Sequence, residues 1–319
     1  MNSLGNIIIS TNAPVVEVEP ALDTVNRRLQ DRRIALGLDD LFEDLRARRE
    51  EQPETWPQYA RACLDHPVCG LLHQDPFTYR AFSKPRGYAG DAVMMDYIYG
   101  LGEAIPANRE ATPIGRAIFQ YMGTRPSAKA VRYRRQLIAD LIDRTAARRG
   151  TSVLALAAGH LREVECSNAV RAGKIRDYVA LDQDEASLAV VDRDYAHLGV
   201  RILPGSVRQI LSGKIQPGQF DFVYAAGLFD YLNGPVATAL TCRMFEMTRP
   251  GGTMLIPNFL AGVRDSGYME AFMDWHLIYR SHADMQALAA ALPSNAVAGC
   301  QIFDDRDDAI TFLLVSKAS

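Results

Sequence analysis

The pattern of apolar and polar positions changes character once along the chain, near Gly150. Before that point it is helical. Ala21 to Glu51 is dense in Arg, Asp, Glu and Leu, and Leu29, Ile34, Leu38, Leu41 and Leu45 recur at three to five residues, as an amphipathic stripe does. Beyond Gly150, short runs of Val, Leu, Ile and Phe alternate with helical stretches: Val153–Ala157, Tyr178–Leu181, Val200–Leu203, Phe220–Ala225, Met254–Ile256 and Thr311–Val315. Runs apolar on both faces are what strands buried in a parallel sheet require, so the pattern predicts an α/β domain whose mainly parallel sheet is wrapped by helices. Ala283–Leu292 reads as a helix stopped by Pro293. Ala298–Phe303 and Ile310–Val315, joined by the acidic Asp304–Asp308, read as a terminal hairpin. Tyr268, Phe272, Trp275 and Tyr279, spaced by four, three and four, predict one helix face packed in a core. The resulting division is a flexible N-terminus over 1–20, a helical cap over 21–149 and an α/β domain over 150–319.

Composition narrows the function. Of 319 residues, 48% are apolar and 23% charged, an ordinary globular balance, and the net charge of −3 from 35 basic and 38 acidic residues gives no footprint for nucleic acid or an anionic membrane. The first twenty residues lack the basic region and apolar run of a secretory signal, and no run approaches a membrane span of about 18 residues, so a cytoplasmic location is expected. Five scattered cysteines without a CxxC pair read as buried, reduced thiols. Six histidines without HExxH or HxH give no reason to assign a metal.

The chemistry gathers at the ends of the expected strands. The small residues Ala157, Ala158 and Gly159 let a ligand lie against the backbone, and free N–H groups opening the next helix can meet a carboxylate or hydroxyl. The second strand, Asp177–Asp182, ends in an acid 23 residues after Gly159, close to the roughly 20-residue spacing at which a carboxylate accepts ribose hydroxyls. Ser206, in the turn after the third strand, is placed to meet an adenine edge. Phe220–Tyr231 ends the fourth strand where the reactive end of such a ligand would lie.

Taken in order, Val153–Glu163, Asp182, Gly205–Ser206, Phe220–Tyr231 and Arg249-Pro-Gly-Gly-Thr-Met-Leu255 resemble the class I S-adenosylmethionine-dependent methyltransferases over roughly residues 150 to 319. The resemblance implies a Rossmann-like, seven-stranded, mainly parallel sheet with a terminal antiparallel strand, below an N-terminal helical cap. It implies S-adenosylmethionine as methyl donor, with Ala158, Gly159 and His160 along its methionine part, Asp182 on ribose, Ser206 and Val207 facing adenine and Ala225 near the sulfonium. The sequence departs from the family where Ala157-Ala158-Gly159-His160-Leu161 replaces a glycine-rich run. Upstream, Ser83-Lys-Pro-Arg-Gly-Tyr-Ala-Gly-Asp91 with Met94-Met-Asp-Tyr97 is similar to a bacterial subgroup that carries a helical N-terminal extension. Its members are often labelled 3-hydroxypalmitate methyl ester biosynthesis proteins, and some proteins of this look cyclise S-adenosylmethionine to azetidine-2-carboxylate.

Several of these residues have a structural reading beside the functional one. Gly87 and Gly90 permit a tight turn in which Arg86 pairs with Asp91, or form a lid whose Tyr88 faces the sulfonium while Arg86 or Asp91 fixes a carboxylate or amine. His160 is a first-turn residue satisfied by backbone, or a catalyst. Arg162 pairs with Glu163 on the surface, or approaches the methionine carboxylate. Asp230 and Tyr231 begin a helix, or border the reactive end. A ring within about 6 Å of a cation is worth an estimated 0.5–2 kcal/mol, which makes Tyr88, Tyr97, Tyr133 and Tyr231 candidates to shelter a sulfonium. The expected reaction is methyl transfer to an oxygen or nitrogen of a second small molecule. A carboxylate acceptor needs no base, whereas an alcohol or ammonium would call on Asp91, Asp230 or His276. The alternatives are intramolecular attack by the donor's own amine, releasing 5′-methylthioadenosine, and ligand binding without turnover.

Overall fold

The computed structural model describes residues 19–147 and 150–319, so the stretch expected to be flexible lies outside the described residues up to position 18. The single stripe over residues 21–51 is two helices, α1 (Glu19–Gln30) and α2 (Ile34–Glu51). Arg32 takes a left-handed backbone (φ 61°) that ends the first and turns the chain back, so Leu22, Val25 and Leu29 join Leu38, Leu41 and Leu45 in one buried cluster. Seven further helices complete the N-terminal part: α3 (Trp56–Asp65), α4 (Val68–Leu72), α5 (Pro76–Ser83), α6 (Ala92–Tyr99), α7 (Ala104–Glu110), α8 (Pro113–Met122) and α9 (Pro126–Thr145). Side-chain caps set the starts of the three that matter most for the loop between them: Asp75 accepts from the amides of Phe77 and Thr78 ahead of α5, Asp91 from Met94 ahead of α6, and Thr112 from Gly115 ahead of α8.

The sheet contains β1 (Ser152–Leu156), β2 (Asp177–Asp182), β3 (Val200–Pro204), β4 (Phe220–Tyr224), β5 (Thr248–Phe259), β6 (Val297–Asp304) and β7 (Ile310–Lys317), in the order β3-β2-β1-β4-β5-β7-β6. The first five are parallel and β7 runs antiparallel between β5 and β6, which is the expected Rossmann-like sheet with its terminal hairpin. β1, buried at every position, is the axis: the chain winds out through β2 to β3, then crosses back to β4 on the other side. That reversal opens a crevice at the carboxyl ends of the strands, the place where open parallel sheets bind ligands. The sheet's helices are α10 (Asn168–Arg171), α11 (Glu185–Tyr195), α12 (Val207–Leu211), α13 (Gly234–Glu246), α14 (Ser266–Phe272) and α15 (His282–Ala290). One face of the sheet packs on α9, α10 and α11, and the other on α12, α13 and α15.

Two expectations change here. First, α9 does not belong with the cap: Val131, Leu137, Ile138, Leu141 and Ile142 are buried in the core formed with β1 and β4. Second, the aromatic series does not lie on one helix. α14 stops at Phe272, so Tyr268 and Phe272 are helical, whereas Trp275 and Tyr279 follow on an irregular segment. This insertion after β5 sends Tyr268, Met269, Phe272, Met273 and Trp275 into the core of the N-terminal helices, stitching cap and sheet together. The cysteines are all unpaired, with Cys63 and Cys69 buried and Cys300 exposed. No helix among the described residues is long and apolar enough to cross a membrane.

Gly267 is the contact point of α14 with α2, because a Cβ there would stand 2.9 Å from Leu45 Cβ and 3.0 Å from its carbonyl oxygen. Gly267→Ala is expected to lower unfolding stability by about 1–3 kcal/mol, read from the urea midpoint. An unchanged midpoint would show that the insertion does not hold the cap.

Candidate active site

A cavity of about 420 Å³ occupies the crevice, within the usual range for small-molecule sites. Its floor is the loop after β1. Ala157, Gly159 and Leu161 all have positive φ (48°, 55° and 52°), and the loop is held by Ala158 N donating to Leu181 O at 3.1 Å and Gly159 N donating to Asp182 Oδ2 at 2.8 Å. The other Asp182 oxygen accepts from Asp184 N at 2.9 Å. Each oxygen has spent one lone pair on backbone, so the carboxylate stays oriented with capacity left toward the cavity it lines. Gly205 and Val207 border the same space. Ser206 does too, yet its hydroxyl is engaged in a capping box with Gln209 that starts α12.

Across the cavity, the segment after β4 contributes Ala226, Gly227, Leu228, Asp230 and Tyr231. Ala225, the residue expected here, is wholly buried in the core and its place is taken by Ala226 and Gly227. Asp230 is buried, accepts from Phe259 N at 2.7 Å, and has its carboxyl pushed by burial up to about 6. Tyr231 receives a hydrogen bond from Trp275 Nε1 at 2.9 Å, and the Tyr88 ring meets it edge-on at 6.4 Å. Tyr88, Tyr231 and Trp275 thus form an aromatic rim, and burial with Asp182 nearby pushes the Tyr88 phenol up to about 12.

The loop over residues 84–91 runs across this rim. Lys84 pairs with Asp274 at one side, and Arg86 Nη1 donates to Asp184 Oδ2 and Ser187 Oγ, both at 2.9 Å, at the other. Gly90 is packed so tightly that a Cβ would stand 2.8 Å from Trp275 Cζ2. Arg86 therefore fastens the loop and does not pair with Asp91. Asp91 is buried, caps α6 and accepts from Arg80 Nη2 at 2.8 Å. Tyr97 packs against Phe119 outside this cavity, and Tyr133 packs against Phe312, so neither ring reaches the rim. His276 is exposed and sits beside Asp274.

His160 and Arg162 converge on one residue that the sequence reading passed over. Asp96, on α6 and buried, pairs with His160 Nδ1 at 2.9 Å and accepts from Arg162 Nε at 2.8 Å and Nη2 at 2.9 Å. Burial pushes the Asp96 carboxyl up, but Arg162 and His160 outweigh it and hold the group below its ordinary range. The remaining Arg162 nitrogen serves Tyr195, Asp194 and Glu165. The guanidinium therefore ties α6 to the loop after β1 and is occupied by protein partners, and Glu163 is no surface partner of it. Glu163 is buried at the cavity, takes a hydrogen bond from Tyr224, and burial raises its carboxyl.

Arg134 on α9 was also missed. It is 4% exposed, lines the cavity, and has no carboxylate within 4 Å among the described residues. Its Nε is unsatisfied, and the groups it meets are Met95 Sδ, 3.7 Å from Nη2, and the Tyr99 phenol. Asp230 and Glu163, which line the same cavity, feel the Arg134 charge without pairing with it, and a buried ion without a direct partner departs from ordinary packing. The signal was present: between Val131 and Leu137 the apolar stripe of α9 is interrupted by a single arginine on its buried face.

No family model matches the sequence, and no curated protein matches it. Among solved structures, a possible exported protein from Bordetella parapertussis superposes with a TM-score of 0.57 at 15% identity, over 72% of this chain and 80% of that one. Magnesium protoporphyrin IX methyltransferase from Synechocystis, with bound S-adenosylhomocysteine, follows at 0.46 and 11% identity over 70% and 92%. The 1,6-didemethyltoxoflavin-N1-methyltransferase of Burkholderia thailandensis gives 0.40 and 15% over 58% and 79%. The first establishes similarity of fold alone, and the other two superpose too loosely to add to it.

Two outcomes are expected. Asp96→Ala leaves Arg162 Nε and Nη2 without their acceptor while Nη1 keeps Asp194 and Glu165, and should cost about 1–3 kcal/mol of unfolding stability, with Asp96→Asn losing less. For Asp230 the folded-state carboxyl lies above its unfolded value, so its stabilising contribution is complete below about pH 4 and is lost as pH rises through 6. Asp230→Asn keeps an acceptor for Phe259 N. It should therefore gain on wild type by on the order of 3 kcal/mol between pH 4 and 7, in a pH series of urea melts.

Proposed function

We propose that the chain is an S-adenosylmethionine-dependent methyltransferase acting on an oxygen or nitrogen of a small molecule. The observation that carries this reading is Asp182, held by two backbone amides at the end of β2 with its carboxylate at the crevice, beside a loop that presents almost no side chain at Ala157, Ala158 and Gly159. An acceptor-only group in that position suits two adjacent ribose hydroxyls. The apolar slot of Leu181, Val207 and Ile210 suits an adenine ring, and the rim of Tyr88, Tyr231 and Trp275 suits a cation, as a sulfonium requires.

The sulfonium of such a donor supplies an already electrophilic methyl carbon. The protein's residues have the simpler tasks of alignment and shelter. Tyr88 and the loop over 84–91 narrow the mouth, while Trp275 holds the Tyr231 hydroxyl in place. Of the carboxylates expected to serve as bases, Asp91 is committed to Arg80 and the start of α6, whereas Asp230 lines the cavity and accepts from Phe259 N through one oxygen. A carboxylate acceptor arrives with its nucleophile ready, and an alcohol or ammonium would call on Asp230.

Calorimetry should find that the protein binds S-adenosylhomocysteine and that Asp182→Asn weakens it about 10- to 100-fold, as for loss of a charge-assisted hydrogen bond. Incubation with S-adenosylmethionine and a panel of carboxylic acids should release S-adenosylhomocysteine only when an acceptor is present. Release of 5′-methylthioadenosine from the donor alone would replace transfer by cyclisation to azetidine-2-carboxylate, and absence of nucleoside binding would end both.

A further inference from the structure

The N-terminal helices border a second space, apart from the crevice. It has a volume of about 240 Å³ and lies between α5, α6, α7, α8 and the first turn of α9. Buried Phe77, Tyr97 and Met122, with half-buried Phe119, form its apolar wall, and Ala128 contributes only a methyl group from α9. The space owes its existence to α7. That helix buries only Ala104, so it crosses the gap without filling it and brings Asn108 to a mostly apolar wall.

We propose that this cavity is a binding site for a small neutral aromatic molecule carrying one hydrogen-bond donor. Asn108 Oδ1 is shut off from water and has no hydrogen-bond partner. Leaving a buried amide oxygen unpaired is costly, and its complement is an N–H or O–H. Water serves poorly, because a buried water needs about two to four polar partners and most of this wall offers none. Among the described residues no side chain lining the cavity is charged, so neither a carboxylate nor an ammonium would find a counter-charge there. Size supplies the rest. An apolar cavity of about 150 Å³ holds benzene, so this one takes a substituted ring or two fused rings. The Tyr97 and Phe119 rings stand edge to face with centroids 6.3 Å apart, and such neighbours favour a ring over an alkyl chain of equal size. Tyr99 lines both this cavity and the crevice, so α6 is their common wall, but the second site stands whatever the crevice binds.

Indole, and its isostere indene, which lacks the N–H, are the probes for calorimetry on the full chain. Wild type should bind indole with a Kd of about 1 mM or tighter, a modest affinity for a ligand this small, and indene about five-fold more weakly. Asn108→Leu removes the unpaired oxygen and should fold with a Tm equal to or above that of wild type. It should bind indole about five-fold more weakly and indene no more weakly. Ala128→Leu puts a larger side chain into the space and should weaken both probes about ten-fold. If Ala128→Leu fails to fold, Asn108→Leu decides alone. Absence of indole binding to wild type overturns the proposal, as does equal affinity for indole and indene. Indole affinity unchanged in either folded variant places the probe elsewhere and equally overturns it.

Discussion

The site depends on a single buried carboxylate. Asp96 belongs to α6 in the cap, whereas its partners His160 and Arg162 belong to the loop after β1. Without it, α6 would abut the loop after β1 with His160 Nδ1 and two of the three Arg162 nitrogens lacking their acceptor. With it, the pair becomes a rigid joint, since Arg162 reaches on to Asp194 and Tyr195 in α11 and Arg86 approaches His160 Nε2 at 3.4 Å. The cap is thereby fastened to the floor of the cavity, and the loop over 84–91 inherits its position from the same network. Such buried ion clusters contribute little net stability against an apolar alternative, but they penalise misplacement heavily. Their value here is in registering two elements to each other.

That joint also bears on the loop after β1. Ala157 and Leu161 hold left-handed backbone, which for non-glycine residues costs roughly 1–2 kcal/mol each. The protein recovers this through Leu161, buried in the core beside α9, and through the amides of Ala158 and Gly159, which find Leu181 O and Asp182. Gly159 keeps its place for a separate reason: a Cβ there would stand 3.2 Å from Ala92 Cβ at the start of α6. A glycine-poor sequence thus reaches the shape a glycine-rich loop takes freely, because neighbouring elements hold it there.

The sheet was legible because each strand carries its own evidence, an apolar run bounded by turn residues, and the place of Asp182 at the crevice was legible because it ends the second of those runs. The cap was harder to read. A stripe of leucines does not reveal that Arg32 turns the chain back between α1 and α2, and an aromatic spacing of four, three and four mimics a helix although the chain leaves α14 at Phe272. Roles that depend on partners distant in sequence were least legible. Arg86 and Asp91 lie five residues apart and look like a pair, yet Asp184 and Arg80 claim them. Asp96 and His160 are 64 residues apart and gave no local sign of their contact.

The assignment of charges within the crevice is the most informative feature that the sequence did not display. Of the carboxyl groups that line it, Asp182 accepts from the amides of Gly159 and Asp184, Asp230 from that of Phe259 and Glu163 from the Tyr224 hydroxyl, while Asp91 and Asp96 are spent on Arg80 and Arg162. One cation, Arg134, has an unsatisfied Nε and no ion pair among the described residues. On the proposed chemistry this division is coherent. A sulfonium donor needs its ribose and its amino-acid end held, its cation sheltered by rings and its acceptor aligned, and alignment alone can supply several kcal/mol of the barrier. Where an acceptor needs proton transfer, the cavity carboxyl that changes state near pH 6 is Asp230.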